Sequence, residues 1–312
     1  MAQVVVVGSL NADLVVRVDR FPAAGETVSG TDFVVHPGGK GANQACAAAR
    51  LGARVFMVGR LGRDGNARLL RESLEAAGVD LSHVREDPSV PTGTALIEID
   101  AAGQNRIVVV PGANGKVELA DVDGAADLVG PGTILLLQLE IPLPAVARAL
   151  SLGRERRAQV ILDPAPARPE TAGLVRLAHV LTPNETELGA LVGESPATDR
   201  DTARKQARAL LARGAQAVVA KRGALGAFLV RPDQEHYWPA PRVETVDTTA
   251  AGDAWNGAFA AALAEGRSED DAGRFATDAA ALSVTRAGAQ PGMPTRAELL
   301  VWRAALVRNE ED

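Results

Sequence analysis

Short apolar runs alternate along this chain with alanine-rich stretches of helical spacing. Residues 4–7, 55–58, 134–137, 160–162 and 217–220 are apolar throughout, which predicts strands buried on both faces. Between them, 41–51, 64–77 and 203–213 predict helices stopped by Gly52, Gly78 and Gly214. A further helix is predicted over 254–265, ending at Gly266. Ser268 with Asp271, and Thr295 with Glu298, have capping-box spacing and mark two more helix starts. This rhythm predicts an α/β fold with a mostly parallel sheet flanked by helices.

Two regions break the rhythm. Residues 14–18 with 27–35, and 94–99 with 106–110, alternate as half-buried strands do, the second pair joined by a turn at 101–105. They form either a small separate sheet, a lid over a site spanning about 14–35 and 93–111, or extra edge strands on the main sheet.

The chain of 312 residues shows no internal repeat and no long linker, so one domain over 1–312 is expected. Hydrophobic residues make up 46% but aromatics only 3%, which leaves Ala, Val and Leu to fill the core. The net charge of −6 is mixed along the sequence. No basic stripe suits nucleic acid, and no basic amphipathic helix suits a membrane surface. Cys46 is the single cysteine, so no internal disulfide forms and no cysteine metal cluster exists. The first valine run lacks a basic lead-in, and no apolar run approaches the roughly 18 residues of a membrane span. The cytoplasm is the expected location. Asn184-Glu-Thr186 fits a glycosylation sequon only incidentally, and the acidic end 309–312 reads as frayed.

Six stretches could carry chemistry. Asp247-Thr-Thr-Ala-Ala-Gly-Asp253 precedes a helix, so Ala250, Ala251 and Gly252 put small residues and free N–H groups at its start. Such a start holds an anion, and Asp253 in the first turn suits a base for a hydroxyl attacking phosphorus. The structural alternative is an Asp helix cap. His36-Pro-Gly-Gly-Lys-Gly-Ala-Asn43 also opens a helix. It is neither a P-loop, since Gly41 follows Lys40 where Ser or Thr belongs, nor a dinucleotide fingerprint, since Gln44 replaces the third glycine. Lys40 and Asn43 could bind sugar hydroxyls; the alternative is a plain turn. Asn11-Ala-Asp13 and Gln138-Leu-Glu140 follow strands, where open α/β sheets bind ligands; an Asx turn and an exposed loop acid are their structural readings. Asn184 and Glu187 share a helix face and suit Mg²⁺ held through water, or merely a capping box. Lys221-Arg-Gly-Ala-Leu-Gly226 suits a nucleotide, or a tight hairpin turn.

Together, Asn11-Ala-Asp13, Gly38-Gly-Lys-Gly-Ala-Asn43, Asn184-Glu-Thr-Glu187 and Asp247-Thr-Thr-Ala-Ala-Gly-Asp253 resemble the ribokinase (PfkB) family of carbohydrate kinases. The similarity runs from the first strand to Gly288-Ala-Gln-Pro-Gly-Met-Pro294. It implies a Rossmann-like body with a β-sheet lid that doubles as a homodimer interface. It implies Asp253 as base and Ala250, Ala251 and Gly252 as anion hole. Asn11, Asp13, Gly38, Gly39, Lys40, Asn43, Glu140 and Asp253 would hold the sugar. Asn184, Glu187, Lys221, Arg222, Gly223, Ala224, Leu225, Gly226, Gly252, Asp253 and Thr277 would line ATP, with Mg²⁺ served indirectly by Asn184 and Glu187. A K⁺ ion would take Asp247 and backbone oxygens of Thr249, Ser283, Arg286 and Gly288. Gly292 falls where the family can offer a serine hydroxyl. Asp163 replaces an Asn often seen before Pro-Ala-Pro, Lys221 stands where some members have Thr, and Thr277 stands where many have His or Asn. The implied reaction is transfer of phosphate from ATP to O5 of D-ribose. The alternatives are another small sugar or nucleoside (2-deoxyribose, fructose) and, in a different class, a sugar-binding regulator without catalysis.

Overall fold

The computed structural model describes residues 3–311. The chain enters through β1 (Gln3–Val7) and leaves the main sheet for β2 (Asn11–Val18) and β3 (Gly30–Gly38). Helix α1 (Lys40–Arg50) returns it to β4 (Val55–Leu61), followed by α2 (Gly65–Ala76) and β5 (Val79–Glu86). A second excursion makes β6 (Gly93–Ile99) and β7 (Asn105–Val110). After α3 (Leu119–Asp123) come β8 (Thr133–Leu137), α4 (Leu143–Glu155), β9 (Gln159–Leu162) and β10 (Val180–Leu181). Helices α5 (Glu185–Val192) and α6 (Arg200–Ala212) lead to β11 (Val218–Lys221), β12 (Ala227–Val230) and β13 (Glu235–Trp238). The remainder is helical: α7 (Ala251–Ala264), α8 (Glu269–Ser283), the single turn α9 (Ala289–Gly292) and α10 (Arg296–Glu311).

The main sheet has the order β13-β12-β11-β10-β9-β8-β1-β4-β5. It is parallel from β5 through β11, and β12 and β13 add antiparallel edge strands. Because both faces are covered, the strands are apolar at successive positions rather than alternating. One core, with Leu70, Leu74, Phe259 and Phe275, lies under α1, α2, α7 and α8; the other, with Val146, Leu150, Leu188 and Leu210, lies under α4, α5 and α6. Scarce aromatics concentrate in the first core, where the Trp255 and Phe259 rings stack with centroids 4.8 Å apart. Helices α1 and α7 meet through small residues. A Cβ on Gly257 would come within 2.5 Å of Gln44 O, so this glycine lets the two helix starts converge.

The irregular regions make a separate four-stranded sheet of order β3-β2-β6-β7. Its outer pairs are antiparallel, but β2 and β6 run parallel, so the lid is mixed. Direct cross-strand pairing places Asn11 and Asp13 on the same sheet face as His36, Ala95 and Val109. The opposite face carries Leu14, Val16, Phe33, Leu96 and Val108, of which Phe33 and Val108 are each 61% exposed.

Several boundaries differ from the sequence reading. Asn11 and Asp13 do not form a turn after β1; they open the lid strand β2. The strand expected over 27–35 lies at Gly30–Gly38, because it continues into the glycine loop that meets the site. Helix α6 starts earlier, at Arg200, where Asp199 accepts a bond from Thr202 N; its polar first turn gives no apolar signal. Helix α10 continues to Glu311, so the acidic end is helical up to that residue. Among the described residues, no helix is long and apolar enough to cross a membrane.

Candidate active site

Helix α7 begins where its sequence allows an anion to approach. Ala250 sits at the N-cap with φ 59°, a left-handed conformation that costs a non-glycine residue on the order of 1 kcal/mol or more. The turn at Ala250 opens α7 onto a cleft of about 750 Å³; Ala251 N donates to Thr248 O at 3.2 Å, which leaves the N–H groups of Gly252 and Asp253 for an anion. Gly252 leaves that approach bare: Lys221 Nζ lies 3.4 Å from where its Cβ would be. Asp253 follows in the first turn, buried. Its Oδ2 accepts from Asn43 Nδ2 at 3.1 Å and its Oδ1 from Gln44 Nε2 at 2.9 Å. Burial pushes its pKa up; Lys40 opposes the rise and Asp163 adds to it. The group is thereby a stronger proton acceptor than a surface aspartate.

Helix α1 supplies the partners. Gly39, at its N-cap, has φ 88°, and a Cβ there would sit 2.5 Å from Asn11 N. Only glycine lets this loop close on the first lid strand. Gly38 leaves room for the Asp13 carboxylate, since a Cβ there would fall 2.1 Å from Asp13 Oδ2. Glu140 accepts from Ser9 Oγ at 2.6 Å and from Lys40 N at 3.2 Å. Burial lowers the Lys40 pKa, but Asp253, Asp163, Glu140 and Glu187 outweigh it and hold the ammonium charged. Asp13 rises to about 7, first through burial and then through Glu140 and Asp253, with Lys40 opposing. Sugar-suited groups from β2, the glycine loop and the β8 strand end thus share one electrostatic environment.

The cleft extends from Asp253 along the other strand ends. Asp163, Asn184, Glu187, Lys221, Gly223 and Gly226 border it, with Ala224 beside them. Asn184 and Glu187 do form the capping box, each accepting the other's backbone N–H at 2.8 Å, and both still face the cleft. Thr277, at its far end, accepts from Trp255 Nε1 at 3.2 Å. Two residues expected at the nucleotide turn away. Arg222 is buried and pairs with Glu185 at 2.9 Å, and Leu225 is exposed outside the cleft lining. The loop is in fact the tight turn between antiparallel β11 and β12, and only its glycines, Ala224 and Lys221 reach the cleft.

The expected cation positions show oxygen-rich surroundings. Asp247 accepts from Thr249 N at 2.9 Å and Gly288 N at 2.8 Å. A Cβ on Gly292 would lie 3.2 Å from Ser283 O, 3.4 Å from Arg286 O and 3.8 Å from Ala287 O. Carbonyls converging beside a carboxylate fit a monovalent cation; Gly292 itself brings no hydroxyl. Glu187, raised in pKa first by burial and then by Asp163, is a carboxylate whose neighbours favour a cation. Among the described residues no cluster of three or more His, Cys, Asp or Glu forms a metal cage. Asn184 and Glu187 bring oxygen donors to the cleft, the kind of ligand Mg²⁺ takes when phosphate and water complete its shell.

Sequence reasoning passed over Gln44, Asn114, Gln290 and the role of Asp163. Asn114 Nδ2 donates to Asn11 Oδ1 at 2.7 Å, and Gln290 Nε2 to Asn43 Oδ1 at 3.3 Å, so each orients an expected sugar ligand. Gln44 Nε2 donates to both Asp163 and Asp253. Asp163 ends an apolar strand, the same signal that singled out Glu140; the amides carried no such mark.

A parallel sheet with a phosphate-suited helix start, a buried acid and a mixed lid sheet defines a sugar kinase of the lidded α/β type. Residues 1–296 match the pfkB family of carbohydrate kinases, and the chain belongs to that family. It is 43% identical over 299 residues to a ribokinase of Bacillus subtilis (strain 168), covering 96% of this chain and 98% of that one. A deoxyribokinase of Salmonella typhimurium is 36% identical over 293 residues, covering 94% and 95%. The structure of Arabidopsis thaliana ribokinase complexed with ribose and ATP superposes with a TM-score of 0.88 at 36% identity, covering 96% and 97%.

Proposed function

We propose that this protein transfers the γ-phosphoryl group of ATP to the O5 hydroxyl of D-ribose, giving ribose 5-phosphate and ADP. The observation that carries the reading is Asp253, buried at the opening of α7, between the sugar-suited loop of Asn43 and the anion-suited start at Gly252. Phosphoryl transfer asks mainly for alignment and for positive surroundings at the phosphoryl oxygens. The N–H groups of Gly252 and Asp253 and the Lys221 ammonium provide these surroundings, and Asp253 takes the hydroxyl proton. Asn11, Asp13, Gly39, Lys40, Asn43 and Glu140 bind and orient the sugar. Asn184 and Glu187 would serve Mg²⁺, which supplies charge neutralisation at the phosphates. Asp247 and the carbonyls of Thr249, Ser283, Arg286 and Gly288 would hold K⁺, whose charge would strengthen the anion hole.

The lid's site-facing side excludes water, which would otherwise compete as acceptor. Its outer side is an apolar patch on a sheet, and such patches mark association surfaces. A second copy of this chain is the proposed occupant, giving a homodimer through the lid.

A 2-deoxyribose acceptor is the second reading, favoured by the deoxyribokinase relative. ADP release measured with ribose, 2-deoxyribose, fructose and adenosine tests both. Fastest turnover per KM with ribose is expected. A preference for 2-deoxyribose replaces the acceptor, and no sugar-dependent ADP release overturns the enzyme reading in favour of a sugar-binding regulator.

A further inference from the structure

Asp163 and Lys221, two of the positions whose residues depart from the motif pattern, face each other. Lys221 Nζ lies 3.1 Å from Asp163 Oδ1, with only 12% and 2% of the two side chains exposed. The other oxygen, Oδ2, accepts from Gln44 Nε2 at 2.8 Å. The same Nε2 gives its second hydrogen to Asp253 Oδ1 at 2.9 Å, while Gln44 Oε1 accepts from Gln138 Nε2 at 2.6 Å. The chain of contacts therefore runs Lys221–Asp163–Gln44–Asp253. One end is the ammonium beside Gly252 at the anion-suited helix start; the other is the acid assigned as base.

We propose that Asp163 is a positioning residue that aims Lys221 at the transferring phosphoryl group and, through Gln44, fixes the orientation of Asp253. The inference rests on the kinase reading above. An amide has two hydrogens, and here each is given to a different carboxylate, so Gln44 cannot rotate without releasing both. Asp163 is acceptor-only at both oxygens, and both of its neighbours are donors. No neutral residue reproduces that pattern. An Asn at 163 has one acceptor and one NH₂ group. Whichever way it turns, its NH₂ faces either the Lys221 ammonium or the Gln44 amide, donor against donor. The conflict disappears if position 221 carries a hydroxyl, which accepts from that NH₂. Asp with Lys, and Asn with Thr, are each self-consistent pairs; Asn with Lys sets donor against donor, and Asp with Thr keeps a hydrogen bond but leaves the buried carboxylate without its counter-charge.

The charged groups around this line are Lys40, which faces Asp253 and Asp163, Glu187, which faces Asp163, and Asp13, which faces Asp253. Asp163 bears on Asp253 as a like charge. Its removal lets the base stay ionised to lower pH.

The test is a double-substitution cycle on the full-length enzyme: Asp163→Asn, Lys221→Thr and both together. Sugar-dependent ADP release by the unaltered enzyme is measured first, so failure of the kinase reading is seen separately. Each single substitution is expected to reduce kcat on the order of tenfold or more, the scale of a lost bond to a buried charge. The acid limb of the kcat profile moves to lower pH in Asp163→Asn and to higher pH in Lys221→Thr. The double variant is expected to lose less than the product of the two single losses, by a factor of about ten. Thermal unfolding of all four proteins separates a folding defect from a turnover defect. Losses that multiply to within about twofold, or an Asp163→Asn enzyme with unchanged kcat and acid limb, overturn the proposal.

Discussion

Asn43 Nδ2 donates to Asp253 Oδ2 across 3.1 Å, joining the start of α1 to the start of α7. Its own Oδ1 is held by Gln290 at 3.3 Å, so the direction of the amide is set before any ligand arrives. Replacing Asn43 by Ala removes a donor from a buried acid and a partner from the sugar. Loss of a bond to a charged group is worth about 1.5–3 kcal/mol. The expected result is a fall in kcat/KM for the sugar on the order of ten- to a hundredfold, read by steady-state kinetics, with KM for ATP little changed.

Asp13 gives a pH signature. Its folded pKa of about 7 lies above its ordinary value, so the folded state binds a proton that the unfolded chain releases. Stability from this group is full below about pH 4 and is lost as pH rises toward 7. Asp13→Asn therefore stabilises the ligand-free protein at pH 8 by no more than about 4 kcal/mol. At pH 4 it makes little difference. Denaturant titrations at the two pH values check this. The same proton weakens hydroxyl binding, so KM for the sugar rises as pH falls below 7.

Potassium dependence follows from Asp247. Both its oxygens already accept backbone N–H groups, which, with an electrostatic contribution from Arg17, outweigh burial and keep its pKa low. A permanent carboxylate beside converging carbonyls would hold the proposed K⁺, whose charge would strengthen the anion site at the start of α7. Withdrawing K⁺ is expected to lower kcat severalfold in the unaltered enzyme. In Asp247→Ala the rate is low and flat across KCl concentrations in a titration at constant ionic strength.

The outer lid face predicts its own phenotype. Phe33 and Val108 stand exposed on it, and burying them against a second copy removes apolar area worth about 25 cal/mol per Å². Phe33→Asp places a charge in that contact. Light scattering should show a dimer for the unaltered protein and a monomer for the variant. A KM increase for the sugar is expected with it, since the lid loses its support.

Much of the fold is legible in sequence because its strands are fully buried. Valine runs such as 4–7 leave no other reading, and glycines such as Gly52, with φ 97°, end helices where expected. The lid is less legible. Its strands are half-exposed, so their pattern gives strands without saying which sheet they join; the pairing of Asn11 with Gly38 and Gly93 is a long-range contact that brings them to the site. In the site, charged residues at strand ends stood out. Arg222 stood out too, yet it pairs with Glu185, because a basic residue in a loop looks the same whether it faces ligand or a neighbouring helix. Gln44 and Asn114 were silent. A buried amide gains its meaning from partners 94 to 209 residues away, which no local spacing records.

A single substitution separates proton transfer from sugar binding at Asp253, the proposed base. Asp253→Asn keeps the size of the side chain but cannot take a proton, and its NH₂ meets the amide of Asn43 or Gln44 donor to donor, so ribose binding is measured beside turnover. With ribose and ATP saturating, kcat is expected to fall by about 10² or more, while ribose still binds in a calorimetric titration. A purified, ribose-binding Asp253→Asn enzyme that turns over at a near-normal rate would contradict the account.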